Sequence, residues 1–385
     1  MVRMGIDRLA EFHELFAGRR IALLTGASGL NSALKSSVDS FVDTYGLELL
    51  LAPEHGVRGE LQPGQAADDF TDPRTGIKCV SLFSGGFGGE GGLDAATRAV
   101  STVDVVAFDI QDAGSRYYTF ASTLFYLMHA CAKADKPIVV MDRPNPIGGI
   151  KLEGNTHREE NLSFIGRTHV PIRHGMTMGE LARYFKYEYH IDCKLHVAEM
   201  TGWKRNMWYD ETGLFFTPPS PNLPTMDSLA LYNGTCLFAG TNISEGRGTT
   251  EPFTLIGAPF VDGYKWANRL NEAGLPGVRF SESWFIPQFS KYAGEVCGGV
   301  RIHVKDRKII DSVRTGVTML TTARELFPEF GFRKPGPDGR WHIDIASGTD
   351  DIRKGNLSAD EICKSWQKEA DAFRAIHEKY AIYTL

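Results

Sequence analysis

The stretch DVVAFDIQDAGSRYYTFASTLFYLMHACAKADKPIVVMD (104–142) decides the fold. It begins with a short, mainly apolar run at 104–110 and ends with another, PIVVMD, at 137–142. Between them, residues 119–134 carry an apolar pattern of helix length. Two short buried strands joined by a helix form a crossover unit, and such strands lie parallel. The same alternation continues outward. Segments 20–25 (RIALLT), 47–52 (LELLLA), 77–83 and 194–199 read as strands, and 6–17, 36–45, 93–101 and 176–190 as helices. The expected fold class is α/β: a Rossmann-like, mostly parallel sheet domain over 1–225 and a smaller α+β C-terminal domain over 226–385. In the second part 264–273, 310–327 and 359–380 read as helices, and 278–281 and 299–304 as strands. Residues 201–260, rich in Pro, Gly, Thr and Asn, give few periodic runs.

Composition narrows the class. The 385 residues are 42% hydrophobic and 23% charged, which excludes a disordered chain and an obligate membrane protein. Forty-two basic residues against 47 acidic ones leave a net charge of -5, with no basic surplus for nucleic-acid binding. Cysteines 79, 131, 193, 236, 297 and 363 are scattered without a C-x-x-C pair, so no metal site is expected. No segment approaches the length of an apolar membrane span, and the N-terminus has no apolar signal core. The chain as written reads as cytoplasmic, or as periplasmic or secreted had a signal peptide been removed. Forty-one Gly and 18 Pro indicate a loop-rich protein.

In an open parallel sheet, ligands bind outside the carboxyl ends of the strands. The segments leaving those ends here are rich in charge: Pro53-Glu54-His55-Gly56-Val57-Arg58, then Asp109-Ile110-Gln111-Asp112-Ala113-Gly114-Ser115-Arg116-Tyr117-Tyr118, then Asp142-Arg143-Pro144-Asn145-Pro146. A partly buried carboxylic acid keeps its proton better than an exposed one and can donate it. Glu54 is therefore the candidate acid, with His55 to orient it or bind substrate. Arg116 suits a carboxylate clamp, and Asp142 or Asn145, stiffened by two prolines, suits ligand hydrogen bonding. Asp109, at its strand end, reads equally as a structural anchor paired with an arginine and as a functional acid, and the paired tyrosines as core or as a sugar-stacking surface. Further on, the proline-stiffened 218–224 carries Asn222. Loop 240–250 sets Asn242, Glu245 and Arg247 among glycines that let backbone approach a ligand.

Two nucleotide readings fail. The run SGGFGGEGG (84–92) lacks the P-loop spacing and reads as a mobile linker or lid. Thr25-Gly26-Ala27-Ser28-Gly29 resembles the start of a short-chain dehydrogenase, but the full G-x-G-x-x-G is missing and no Tyr has a Lys four residues on.

Taken together, APEHGVRGE, DVVAFDIQDAGSRYYTFASTL, MDRPNPIGG, PIRHGMTMGELA, PPSPNLPT and GTNISEGRGTTEPF resemble, in order and over about 5–385, the DUF1343 family, whose characterised members are exo-β-N-acetylmuramidases. The resemblance implies an active cleft between the two domains. It also implies release of N-acetylmuramic acid from the non-reducing end of peptidoglycan fragments, with a saccharide or muropeptide as substrate and no cofactor. Glycoside hydrolysis then assigns Glu54 as acid, with Asp112 and Glu245 competing for the second carboxylate, unless the substrate acetamide assists. Arg58, Arg116 and Arg247 are candidates for the lactyl carboxylate, and Asn145, Asn222 and Asn242 for hydroxyls or acetamide. One departure is Gln65, where the family pattern often carries Glu; an amide there cannot be a catalytic carboxylate. The competing function is a non-catalytic muropeptide-binding protein on the same scaffold.

Overall fold

The computed structural model describes residues 1–59, 61–62, 64–65, 68–82 and 90–385. Strand β1 (Ile21–Thr25) is buried at every position, as a central parallel strand covered on both faces must be. Its side chains alternate: Ala22 and Leu24 enter one core with Phe108 and Leu124, while Ile21 and Leu23 enter another with Phe16 and Phe41. Strands β2 (Leu49–Ala52), β3 (Phe70–Thr71), β4 (Lys78–Ser81), β5 (Val105–Asp109), β6 (Ile138–Met141) and β7 (Leu195–Ala198) complete a seven-stranded sheet. Its order is β3-β4-β2-β1-β5-β6-β7, parallel throughout except for the edge strand β3. The six parallel strands thus follow the Rossmann order. The order reverses beside β1, where Thr25 lies next to Asp109, and the segments leaving β1, β2 and β5 share one rim.

Beyond residue 225, β8 (Leu255–Ala258), β9 (Val278–Phe285) and β10 (Cys297–Val304) form a smaller antiparallel sheet of order β8-β10-β9. Helices Gly263–Glu272, Ser312–Leu326 and Ala359–Tyr380 accompany it. The first core runs on into this part, joining Phe108 and Leu124 to Trp266, Val300 and Trp366. None of the helices described is long and apolar enough to cross a membrane.

Several sequence expectations need correction. The helix expected over 6–17 is a 3-10 segment, Gly5–Phe12, broken at Arg8, followed by a single α-turn, His13–Phe16. Tertiary bonds impose this: Gly5 N–H donates to the Asp142 carbonyl, and Arg8 Nη1 to that of Glu199. Region 201–260 holds an unexpected helix, Met226–Thr235, buried at eight of its ten positions and so without a one-sided pattern. It also holds β8. Of the run 84–92, residues 84–89 lie outside those described, and 90–92 belong to helix Glu90–Ser101.

Helix Met226–Thr235 crosses helix Ser312–Leu326 at glycines. A Cβ on Gly316 would stand 2.2 Å from the Gly234 carbonyl oxygen, and one on Gly234 1.9 Å from that of Ser312. Backbone on both sides leaves nothing soft to yield. Gly316→Ala is therefore expected to cost about 1–3 kcal/mol by overpacking. A urea midpoint indistinguishable from wild type would refute the close crossing.

Candidate active site

Glu54 leaves β2 and meets the start of helix Thr119–Lys133, whose Thr119 hydroxyl donates to Glu54 Oε2 at 2.6 Å. The Gly64 N–H donates to Oε1 at 2.9 Å. Both oxygens are held, so the carboxyl has one orientation. His55 follows in the left-handed region (φ 76°), a strained position for a non-glycine residue. Its Nδ1 faces the Leu61 carbonyl at 3.0 Å and therefore carries the hydrogen, leaving Nε2 as an acceptor. Burial lowers the His55 pKa, and Arg247 adds to this, outweighing Glu54 and the Leu61 carbonyl. The ring is neutral at pH 7.

Two adjoining cavities meet here. The narrower, about 130 Å³, is lined by Glu54, His55, Tyr117, Tyr118 and Asn222. The wider, about 930 Å³, is lined by Gln62, Gly64, Asn242, Glu245 and Lys291. Arg247 and His342 line both. Glu54 therefore stands at the junction, in the wall of the first and bonded to Gly64 of the second. The tyrosines are held by their hydroxyls, Tyr117 donating to the Asn233 carbonyl at 2.7 Å and Tyr118 to that of Pro219 at 2.5 Å.

The other candidates divide sharply. Asn222 faces the narrow cavity, its Nδ2 3.3 Å from Gln62 Oε1. Glu245 is buried with both oxygens engaged: Oε1 by Arg247 Nε at 3.0 Å, Oε2 by Lys291 Nζ at 2.9 Å. Burial raises its carboxyl, but Lys291 and Arg247 outweigh that and hold it below the ordinary value. It is an ionised counter-charge that fixes two cations. Asn242 reaches the wide cavity, but its amide is spent on the Glu329 carbonyl (2.7 Å) and the Gly331 N–H (2.9 Å). Asp112 is buried and lines neither cavity; its Oδ2 accepts from Gly114 N–H at 2.7 Å, Oδ1 has no hydrogen-bond partner among the described residues, and burial raises it to about 7.

Four expected ligand contacts are structural instead. The buried Arg116 guanidinium donates to the carbonyls of Asn155, Val170, Ala346 and Ser347, tying the end of the sheet to the C-terminal part. Arg58 grips Asp72 with Nε (3.1 Å) and Nη2 (2.8 Å). Asp142 is wholly buried and accepts from Tyr383 Oη (2.6 Å), Thr177 Oγ1 (2.7 Å) and Gly179 N–H (2.8 Å), locking down the C-terminal tail. Asn145 donates to the Met176 carbonyl at 3.0 Å and accepts from Ile147 N–H at 3.2 Å. A charged or amide side chain at a strand end looks the same in sequence whether it turns outward or inward. Gln65 Oε1 accepts from Gln62 N–H at 3.0 Å, within a turn.

Sequence reasoning missed Thr119, Lys291 and His342. None sits in a loop that leaves the parallel sheet, and no local pattern marks them. Lys291 arrives on the β9–β10 connection, and His342 opens the short helix His342–Ser347. Burial, helped by Arg333 and Lys291, lowers His342 to about 4, and its Nδ1 has no hydrogen-bond partner among the described residues.

Fold and cleft together define a Rossmann-ordered α/β protein with an acid–histidine pair at a two-chambered cleft and no dinucleotide fingerprint. The chain belongs to the exo-β-N-acetylmuramidase NamZ family, whose N-terminal model matches residues 21–227 and C-terminal model residues 230–383. It is 41% identical to the peptidoglycan β-N-acetylmuramidase NamZ of Bacillus subtilis, over 99% of this chain and 91% of that one. Two crystal structures of DUF1343 family proteins from Bacteroides fragilis are similar over 100% of this chain and 99% of each of theirs. Their TM-scores are 0.88 and 0.78, at 30% and 28% identity.

Proposed function

We propose that the chain is a glycoside hydrolase that releases N-acetylmuramic acid from the non-reducing end of peptidoglycan fragments. Full-length similarity to the Bacillus enzyme carries this reading. The placement of Glu54 between a narrow pocket and a wide cleft supports it, because an acid that protonates a leaving oxygen must stand between the released sugar and the rest of the chain. The narrow cavity takes the released sugar against Tyr117 and Tyr118. Asn222 is placed to bond its polar groups, and Arg247, held by Glu245, to meet its lactyl carboxylate.

Among the described residues, Glu54 is the only carboxylate lining the narrow cavity, and Glu245 in the wide one is spent on two cations. The second role therefore falls to the substrate's own acetamide. Its carbonyl oxygen attacks C1 as the bond to the leaving oxygen breaks and the Glu54 proton passes to that oxygen. Water then attacks C1, gives its proton to the Glu54 carboxylate and restores the acetamide. The neutral His55, with Nε2 free to accept, orients the acetamide N–H. Two displacements at C1 retain configuration.

Hydrolysis of a chromogenic β-N-acetylmuramide, with the released sugar followed by NMR, tests both parts. The expected first product is the β-anomer. The α-anomer first would overturn acetamide assistance, and muropeptide binding without sugar release would make the protein a binding module.

A further inference from the structure

The wide cavity extends well beyond Glu54, and its outer wall has features that the single-sugar reaction does not use. The connection between β9 and β10 is strapped to loop 240–248. Gln288 N–H donates to the Gly248 carbonyl at 2.8 Å, and Tyr292 Oη to that of Asn242 at 2.6 Å. Lys291 Nζ donates to the carbonyls of Phe238 (2.8 Å) and Ile243 (2.9 Å). Ser290 and Tyr292, on either side of Lys291, both have positive φ (71° and 57°), a strained backbone that persists only where surrounding bonds hold it. The connection is thus a fixed wall, and its Phe289, 44% exposed, lines the cavity. Phe289 makes no ring–ring contact among the described residues.

Arg333 lines the same cavity and is exposed. Its backbone is pinned by Arg333 N–H donating to the Gly240 carbonyl at 2.9 Å, while its guanidinium has no hydrogen bond or ion pair among the described residues. The other cations here, Arg247 and Lys291, are both committed to Glu245. An aromatic side chain and an uncommitted guanidinium on the wall of one cavity are what a sugar ring followed by a carboxylate would require.

We propose that Phe289 and Arg333 form a binding site for the leaving portion of the substrate, the ring stacking on a pyranose and the guanidinium pairing with a carboxylate carried further along the glycan. The inference rests on the muramidase reading and extends it by naming the residues that hold the leaving glycan. The wall side of Glu54 fixes the direction, since the released sugar lies in the narrow cavity and the leaving chain in the wide one.

The test compares kcat/KM for two substrates, an aryl β-N-acetylmuramide and a peptide-free tetrasaccharide with muramic acid at its non-reducing end. Phe289→Ala and Arg333→Ala are each expected to lower the tetrasaccharide-to-aryl ratio about tenfold, with Arg333→Lys recovering part of it. Melting curves of the variants check folding. An unchanged ratio, or equal loss on both substrates, overturns this inference alone. Wild-type protein that cleaves neither substrate overturns the muramidase reading and the inference with it.

Discussion

Glu54→Gln is expected to abolish most hydrolysis, lowering kcat by about 10²–10⁴-fold, the usual contribution of a positioned acid. The amide is nearly the same shape as the acid, and its oxygen still accepts from Thr119 or Gly64, whose bonds hold the side chain at 2.6 and 2.9 Å. Folding is therefore expected to survive while the transferable proton is lost. The defect has a diagnostic form. An aryl muramide whose leaving phenol is strongly acidic needs little protonation, so it is expected to lose far less kcat/KM, which reports the bond-breaking step alone, than a natural glycan. Equal losses on both kinds of substrate would remove Glu54 from the acid role, and full activity in the variant would move the site elsewhere.

Arg143→Met is expected to be the most damaging change to stability. Arg143 and Asp109 are both buried, with Nε–Oδ1 2.6 Å and Nη2–Oδ2 2.9 Å. Arg143 Nη1 also donates to the Leu30 carbonyl at 2.9 Å, and the Ser37 hydroxyl donates to Asp109. Removing the guanidinium leaves a buried carboxylate with, among the described residues, one hydroxyl donor, that of Ser37. Breaking a buried pair from one side costs about 3–5 kcal/mol. Urea unfolding measures it, and adding Asp109→Asn in the same chain should restore part of the loss by removing the stranded charge. A single-variant loss below about 1 kcal/mol would show that water reaches Asp109 and that the pair is not the anchor described.

Asp109 shows how far the strand-end logic reached. Its place at the end of β5 leaves anchor and functional acid equally open, and the buried pair with Arg143 makes it an anchor. Asp142, in the equivalent place after β6, reads in sequence as a ligand contact and anchors the tail through Tyr383 instead. Both residues follow apolar runs, and only the packing of chain from far away distinguishes them. Arg116 makes the same point. Its four carbonyl partners come from residues 155, 170, 346 and 347, distances along the chain that no local pattern encodes. Helix Met226–Thr235 stayed hidden because nearly all of it is buried, which erases the one-sided periodicity that exposes a surface helix.

By itself the sequence determined the parallel sheet, because alternating short apolar runs and helix-length segments have few other ways to bury their surfaces. It also determined the family, because six long motifs recur in order, and it singled out Glu54 and His55. Tertiary structure alone decided which charges face the cleft. Lys291, Arg333 and His342 reach it on segments remote from the sheet, while Arg116, Asp142 and Asn145 are consumed by partners inside and Arg58, at the surface, by the buried Asp72. The physical reason is that a polar side chain takes whichever partner the folded chain brings within about 3 Å, and burial makes leaving it without one costly.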